Sequence, residues 1–211
     1  MLFVINQNFF WQGMFCMIKI TNIKKSFGTI QLIFPEIEAK QGEIVLLVGP
    51  SGSGKTIFCE MLVKFCPAEA GDFQIHGRSY QKLDIFKEVH YICQEPEHNL
   101  IGITCWEDLR LWNSSLEALS NVLQLFNLSE WQNTPIWKLS FGQKKKLALC
   151  GLILVQRPIW IIDEPFAGLD EQLTLQLKII MQHFLQNGGL IIATSHNKEN
   201  FNDSITNVYE I

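Results

Sequence analysis

The sequence has few charged residues, and neither sign dominates among them. Only 18% of its 211 residues are charged, with 17 Lys and Arg against 21 Asp and Glu. A net charge of −4 provides no basic footprint, so we expect no nucleic-acid partner. Because 47% of the residues are hydrophobic, long disordered regions are not expected either. The length fits one ordinary α/β domain with a sizeable core.

The cysteines lack any regular spacing, and the sequence has no C-x-x-C pair. This scatter argues against a zinc site and against a disulfide framework. We therefore expect mainly buried free thiols in a reducing compartment. The six are Cys16, Cys59, Cys66, Cys93, Cys105 and Cys150.

We expect neither a membrane-spanning helix nor a signal peptide in the first residues of the sequence. Residues 1–18 carry no charge, but Asn6, Gln7, Asn8 and Gln12 interrupt them, and no basic start or small-residue cleavage site is present. Either translation starts at Met17, or the segment is a disordered or partner-packed extension. We expect residues 1–16 to be an N-terminal extension and residues 17–211 to be a single domain.

Hydrophobic patterning predicts a mixed α/β fold. From residue 43 on, strands alternate with helices, which favours a mainly parallel sheet with helices on both faces. Alternation in Ile18–Ile23 and an extended segment at Gln31–Ala39 indicate an antiparallel β subdomain in front. A helical subdomain is expected as an insertion at about 95–145. Further strands are predicted at 43–48, 158–162 and 189–194, and a β-rich region is predicted at 71–93. Further helices are predicted at 144–155 and 171–185.

A glycine-rich loop follows the aliphatic strand Glu43–Val48 and precedes a helical pattern. It matches G-x-x-x-x-G-K-[ST] in full, and its glycines allow successive N–H groups to point at phosphate oxygens. The lysine would reach the β- and γ-phosphates of a nucleotide, and the threonine would bind Mg²⁺. This strand–loop–helix context predicts a P-loop NTPase core. The loop residues are Gly49, Pro50, Ser51, Gly52, Ser53, Gly54, Lys55 and Thr56.

Two carboxylates end the apolar strand Pro158–Ile162. Asp163 at this position can hold hydrated Mg²⁺, and Glu164 can orient or deprotonate the attacking water. Nucleoside kinases normally have no catalytic Glu next to the Asp. The pair therefore favours ATP hydrolysis over transfer to a small molecule.

With these motifs, residues 17–211 resemble the nucleotide-binding subunit of an ATP-binding-cassette (ABC) transporter. The segment Leu139–Gln143 resembles the family signature LSGGQ, with Phe141 at the first glycine position. The resemblance implies that Ser140, Gly142 and Gln143 contact the γ-phosphate of ATP bound to the opposite subunit.

Four further positions match the family. The resemblance implies that Gln94 ligates Mg²⁺ and senses the membrane partner, and that His196 contacts the γ-phosphate. Asp170 matches the D-loop at the dimer interface, and Phe27 matches the aromatic residue that stacks on adenine. The expected catalytic residues are thus Glu164, His196 and Gln94, and the expected metal ligands are Thr56, Gln94 and Asp163, with ATP and Mg²⁺ bound.

The expected function is therefore ATP hydrolysis that powers a membrane transporter. The expected partners are transmembrane subunits and a second ATP-binding subunit, as a homodimer or heterodimer, at the cytoplasmic face of the plasma membrane. The segment 94–100 resembles energy-coupling-factor cassettes, which favours uptake of a vitamin or metal ion. A small exporter and a soluble P-loop kinase are alternatives, whereas a non-transport cassette would need tandem domains or coiled coils. Residues 95–138 are expected to dock the membrane partner, with Asn99 and Leu100 exposed.

Overall fold

The computed structural model describes residues 17–201 and 206–211, so the predicted extension at 1–16 lies outside the described residues. These residues divide into two compact units. We call residues 92–156 the helical unit, and the remaining described residues the sheet unit. That residues 17–211 act as a single domain stays a prediction.

The strands of the described residues build two sheets. They are β1 (Met17–Phe27), β2 (Ile30–Ile33), β3 (Ile37–Lys40), β4 (Ile44–Val48), β5 (Ala70–Ile75), β6 (Arg78–Ser79), β7 (Val89–Ile92), β8 (Ile159–Ile162), β9 (Leu190–Ser195) and β10 (Asn207–Glu210). In one sheet the order is β2-β1-β5-β6, with β3 also paired to β1, and its pairs are antiparallel. In the other sheet the order is β10-β4-β9-β8-β7, and β10, β4, β9 and β8 run parallel.

The expected architecture of parallel sheet and antiparallel sheet is confirmed, with differences at element boundaries. The extended segment predicted at 31–39 is two strands, because Pro35 has no N–H to donate and interrupts the ladder. The region at 71–93, predicted to be β-rich, also contains a short helix. β10 was not predicted, because its residues are exposed or half-buried and do not form the apolar pattern of a buried strand.

The helices are α1 (Lys55–Leu62), α2 (Ile85–Glu88), α3 (Cys105–Trp112), α4 (Leu116–Leu125), α5 (Phe141–Leu154) and α6 (Glu171–Gln186).

The helical unit consists of α3, α4 and α5, with α5 packed against the other two. A capping box at Thr104 and Glu107 starts α3, and Ser115 caps α4. The buried carboxylate of Asp108 accepts hydrogen bonds from the N–H groups of Ile101 (2.7 Å) and Gly102 (2.9 Å), which fixes the segment before α3. Among the helices of the described residues, none has both the length and the hydrophobicity that a membrane span requires.

Candidate functional site

The glycine-rich loop joins β4 to α1 in the sheet unit. Gly54 has φ +101°, and a Cβ there would lie 2.8 Å from Leu32 Cδ1. A Cβ on Gly49 would lie 2.3 Å from the carbonyl oxygen of Ile211. Both positions therefore require glycine. Because the first N–H groups of a helix have no intrahelical partner, the start of α1 is suited to bind an anion.

Lys55 folds back over this loop. Its Nζ donates to the carbonyl oxygens of Gly49 (2.7 Å) and Pro50 (3.0 Å), and the residue is only 6% exposed. The hydroxyl oxygen of Ser53 is buried and has no hydrogen-bond partner among the described residues. The loop thus combines a buried ammonium group with a buried, unsatisfied hydroxyl, which suits phosphate oxygens.

Asp163, which follows β8, is hydrogen-bonded both to α1, which follows the loop, and to the neighbouring strand β9. Thr56 Oγ1 donates to Asp163 Oδ2 at 2.5 Å, and Thr194 Oγ1 donates to Asp163 Oδ1. Asp163 is 1% exposed and Thr194 is fully buried. The two hydroxyls hold the carboxylate in one orientation beside Thr56. Hydroxyl and carboxylate oxygens together are a donor set suited to Mg²⁺.

Thr194 is a site residue that sequence reasoning missed. Its hydroxyl also accepts a hydrogen bond from the N–H of Glu164 at 3.0 Å, so it orients both acidic residues. The available signal was a threonine directly after the aliphatic residues 190–193 of β9. A buried hydroxyl there needs a polar partner, and the pairing of β8 with β9 brings Asp163 and Glu164 within its reach.

Glu164 lies against His196. Glu164 Oε1 is 3.3 Å from His196 Nε2, and Glu164 is 7% exposed. Its backbone has φ +49°, a left-handed conformation that costs a non-glycine residue about 1–3 kcal/mol. Such strain persists where the surrounding structure fixes the residue, as it often does at functional sites. The sheet unit therefore brings together Lys55, Thr56 and Asp163, and joins Glu164 to His196.

The electrostatics of Glu164 predict a pH dependence of hydrolysis. Burial raises the pKa of Glu164, and the neighbouring His196 and Lys55 offset this only in part. If Glu164 is the base that the sequence leads us to expect, it acts only when deprotonated, so kcat/KM should fall with decreasing pH at a higher pH than for an ordinary glutamate. A pH profile of kcat/KM measures this acid limb. An acid limb at the pH expected from the pKa of an ordinary glutamate would contradict the prediction.

The signature segment starts α5 in the helical unit. Ser140 Oγ accepts from the N–H of Gln143 at 3.3 Å, and Gln143 Oε1 accepts from the N–H of Ser140 at 2.9 Å. This capping box moves the start of the helix to Phe141, three residues before the predicted 144. A Cβ on Gly142 would meet no atom within 4 Å, so the space beside this glycine is open.

The remaining predicted residues lie at the ends of elements. Gln94 follows β7 and is exposed in the helical unit. Asp170 caps α6, where its Oδ1 accepts from the N–H of Leu173 at 2.7 Å. Phe27 ends β1 and is 46% exposed, with Lys25 Nζ 5.7 Å from its ring centre. Exposure of this ring is compatible with stacking on a base.

The expectation that Asn99 and Leu100 are exposed is wrong. Both are half-buried, and the Asn99 amide is hydrogen-bonded to the backbone on both sides of Gln94. The exposed apolar residues are the next ones, Ile101 at 74% and Ile103 at 71%.

Comparisons with known proteins give the family. A family model for the ABC transporter matches residues 35–167. The cytochrome c biogenesis ATP-binding export protein CcmA of Chelativorans sp. is 32% identical over 164 residues, covering 74% of this chain and 79% of the relative. CcmA of Histophilus somni is 30% identical over 177 residues, covering 76% of this chain and 77% of the relative.

Two solved structures show the same fold. A bacterial Atm1-family ABC exporter with ATP bound superposes with a TM-score of 0.81 at 18% identity, over 93% of this chain and 37% of the exporter chain. The cbiO1 protein from Clostridium perfringens, part of the ABC transporter complex cbiONQ, gives a TM-score of 0.72 at 20% identity. The match covers 92% of this chain and 83% of the cbiO1 chain. The family match decides against a soluble kinase. The chain belongs to the ABC transporter family, as an ATP-binding subunit whose activity is ATP hydrolysis coupled to transport.

Proposed function

We propose that this subunit hydrolyses ATP with Glu164 as the base for the attacking water, and that hydrolysis drives export through a membrane partner. The observation that carries the proposal is the 3.3 Å contact between Glu164 and His196, next to the Asp163 that binds Thr56. In this arrangement Lys55 and the loop N–H groups would hold the phosphates. Glu164 would orient the water and take its proton, and His196 would contact the γ-phosphate.

Thr56 in α1 and Asp163, which follows β8, fit a magnesium ion. The oxygens of Thr56 and Asp163 lie 2.5 Å apart and are hard donors of the kind that Mg²⁺ prefers. When bound, Mg²⁺ would neutralise negative charge on the phosphates. Gln94 keeps the role that the family resemblance gives it, as a magnesium ligand that senses the membrane partner.

We further propose that two ATP-binding subunits act together, either two copies or this chain and a paralogue. The resemblance assigns Ser140, Gly142 and Gln143 to the ATP of the opposite subunit, and Asp170 to the interface between subunits. The open space beside Gly142 supports a close approach of the backbone to a phosphate. The exposed ring of Phe141, at 48%, is then part of the same contact surface.

Hydrolysis is therefore expected to rise more than linearly with the concentration of the chain, because each site needs a second subunit. Ser140→Ala should lower the rate about tenfold or more, since it removes a group from the phosphate contact. Ser115→Ala is the matched control, because Ser115 is also a helix N-cap in the helical unit. Phosphate release across a dilution series measures the effect. An equal loss of hydrolysis rate in Ser140→Ala and Ser115→Ala would contradict the proposal. A hydrolysis rate per chain that does not change on dilution would also contradict it.

An exposed apolar surface in the helical unit supports docking of a membrane partner. Ile101, Ile103 and Trp137 are each more than 70% exposed. The N–H of Ile136 donates to the carbonyl oxygen of Ile103 at 2.9 Å, which makes the two segments neighbours. Such a surface suits an amphipathic helix of a transmembrane subunit, which would hold the chain at the cytoplasmic face of the plasma membrane.

The double variant Ile101→Glu with Ile103→Glu is expected to lose membrane association and partner-stimulated ATPase while retaining ATP binding. The added carboxylates would have to be desolvated in an apolar interface. Leu116→Glu, at a 60% exposed position on α4, is the control. Flotation of the chain with membranes is the measurement. Unchanged flotation of the double variant would place the docking surface elsewhere.

Export is favoured by the relatives, whose names describe ATP-binding export proteins. Uptake of a vitamin or metal ion is the second candidate, because residues 94–100 resemble energy-coupling-factor cassettes. Inside-out vesicles distinguish them, since their ATP-binding face is outside. Export predicts ATP-dependent accumulation of cargo in the vesicle lumen, detected by mass spectrometry of the contents, whereas uptake predicts its loss from the lumen.

A further inference from the structure

Asn99 makes three hydrogen bonds to the backbone around Gln94. Its Oδ1 accepts from the N–H of Cys93 at 2.8 Å, and its Nδ2 donates to the carbonyl oxygens of Cys93 and Glu95, both at 3.2 Å. The orientation of the amide is fixed, because Cys93 N–H requires an acceptor and the two carbonyls require a donor. One side chain thus fixes the residue before Gln94 and the residue after it.

The turn that carries Asn99 is itself anchored. Pro96–Asn99 forms a 3₁₀ turn, and Glu97 in this turn makes an ion pair with Lys144 of α5. Lys144 is 12% exposed at its side chain, so the pair is partly shielded from water. The base of the Gln94 loop is therefore held to the helix that begins at the signature segment, within the same helical unit.

We propose that Asn99 is a positioning residue for Gln94. The carbonyls on both sides of Gln94 are fixed by one amide, while the Gln94 side chain is exposed. With its Cα position restricted, Gln94 loses less conformational freedom when its side chain reaches a ligand. This inference rests on the role proposed above for Gln94, and it assigns to Asn99 no contact with ATP or Mg²⁺.

The test is a double-mutant cycle on the full chain, with kcat and KM for ATP measured at saturating Mg²⁺. Asn99→Asp keeps the acceptor for Cys93 N–H but faces the two carbonyls with an oxygen. We expect kcat to fall about fivefold to tenfold with KM within about twofold. In a Gln94→Ala background, the same substitution should lower kcat no further than about twofold.

Asn113→Asp is the matched control, because Asn113 also accepts a backbone hydrogen bond, from Ser115 N–H at 2.8 Å, in the same unit. It should leave kcat unchanged. Measurements of thermal unfolding and of ATP binding check that the Asn99→Asp variant is folded. Asn99→Ala adds no charge, and we expect its effect on kcat to be non-additive with that of Gln94→Ala in the same way.

Full additivity of the Asn99 and Gln94 effects would overturn the positioning role while leaving the role of Gln94 intact. An unchanged kcat in Asn99→Asp would overturn it in the same way. A Gln94→Ala variant with full kcat would instead show that the role proposed for Gln94 fails, and the positioning role with it. The single and double variants therefore separate the two failures.

Discussion

Glu164→Gln is expected to lose most of its ATP hydrolysis while ATP remains bound. The amide has the size of the carboxylate but accepts no proton, so the rate should fall by about 10²–10⁴, the loss typical of a missing general base. ATP binding should persist because the phosphate contacts proposed for Lys55 and the loop N–H groups do not involve Glu164. Phosphate release and equilibrium ATP binding, measured on the same preparation, separate the two quantities.

Glu171→Gln is the control for this substitution. Glu171 is exposed in the first turn of α6, and the change from carboxylate to amide is the same. It should retain full hydrolysis. Comparable phosphate release from Glu164→Gln and the unsubstituted chain would remove Glu164 from the mechanism.

Lys55→Ala is expected to weaken ATP binding itself, by about 10- to 100-fold, because the proposed charge-assisted hydrogen bonds to the phosphates would be lost. The ammonium group is already at the loop, bound to the carbonyls of Gly49 and Pro50. ATP can therefore engage it by exchanging these contacts for phosphate oxygens. Titration with a fluorescent ATP analogue measures the change in Kd.

Lys64→Ala provides the comparison for Lys55→Ala. Lys64 Nζ also donates to a backbone carbonyl oxygen, that of Leu83, at 2.9 Å, but near the other end of α1. Removing it changes the charge of the sheet unit by the same amount without affecting the phosphate loop. An equal loss of affinity in both variants would indicate a long-range charge effect and contradict a direct contact by Lys55.

The strand, loop and helix around Lys55 could be predicted from the sequence because each part has a local cause. Four of the five residues of β4 are buried aliphatics, a pattern typical of a central parallel strand. The glycines are needed for the positive φ angles and close approaches of the loop. Asp163 and Glu164 follow another buried strand, so their position at the same sheet edge was also predictable.

Other features depend on contacts between distant residues and could not be predicted in the same way. β10 forms because it pairs with β4, about 160 residues earlier in the chain, and its own sequence carries little apolar periodicity. The half-burial of Asn99 depends on the fold of its turn around Cys93, which a polar residue in a polar stretch does not reveal. The role of Thr194 required the spatial pairing of β8 with β9.

We propose that the chain binds ATP as one of two cassettes attached to a membrane-spanning partner. Native mass spectrometry of tagged Glu164→Gln, extracted in detergent with MgATP, tests this proposal. We expect one complex that contains two cassette chains, a membrane-spanning protein and bound ATP. Recovery of only a single 24.3 kDa chain with its ATP would contradict it.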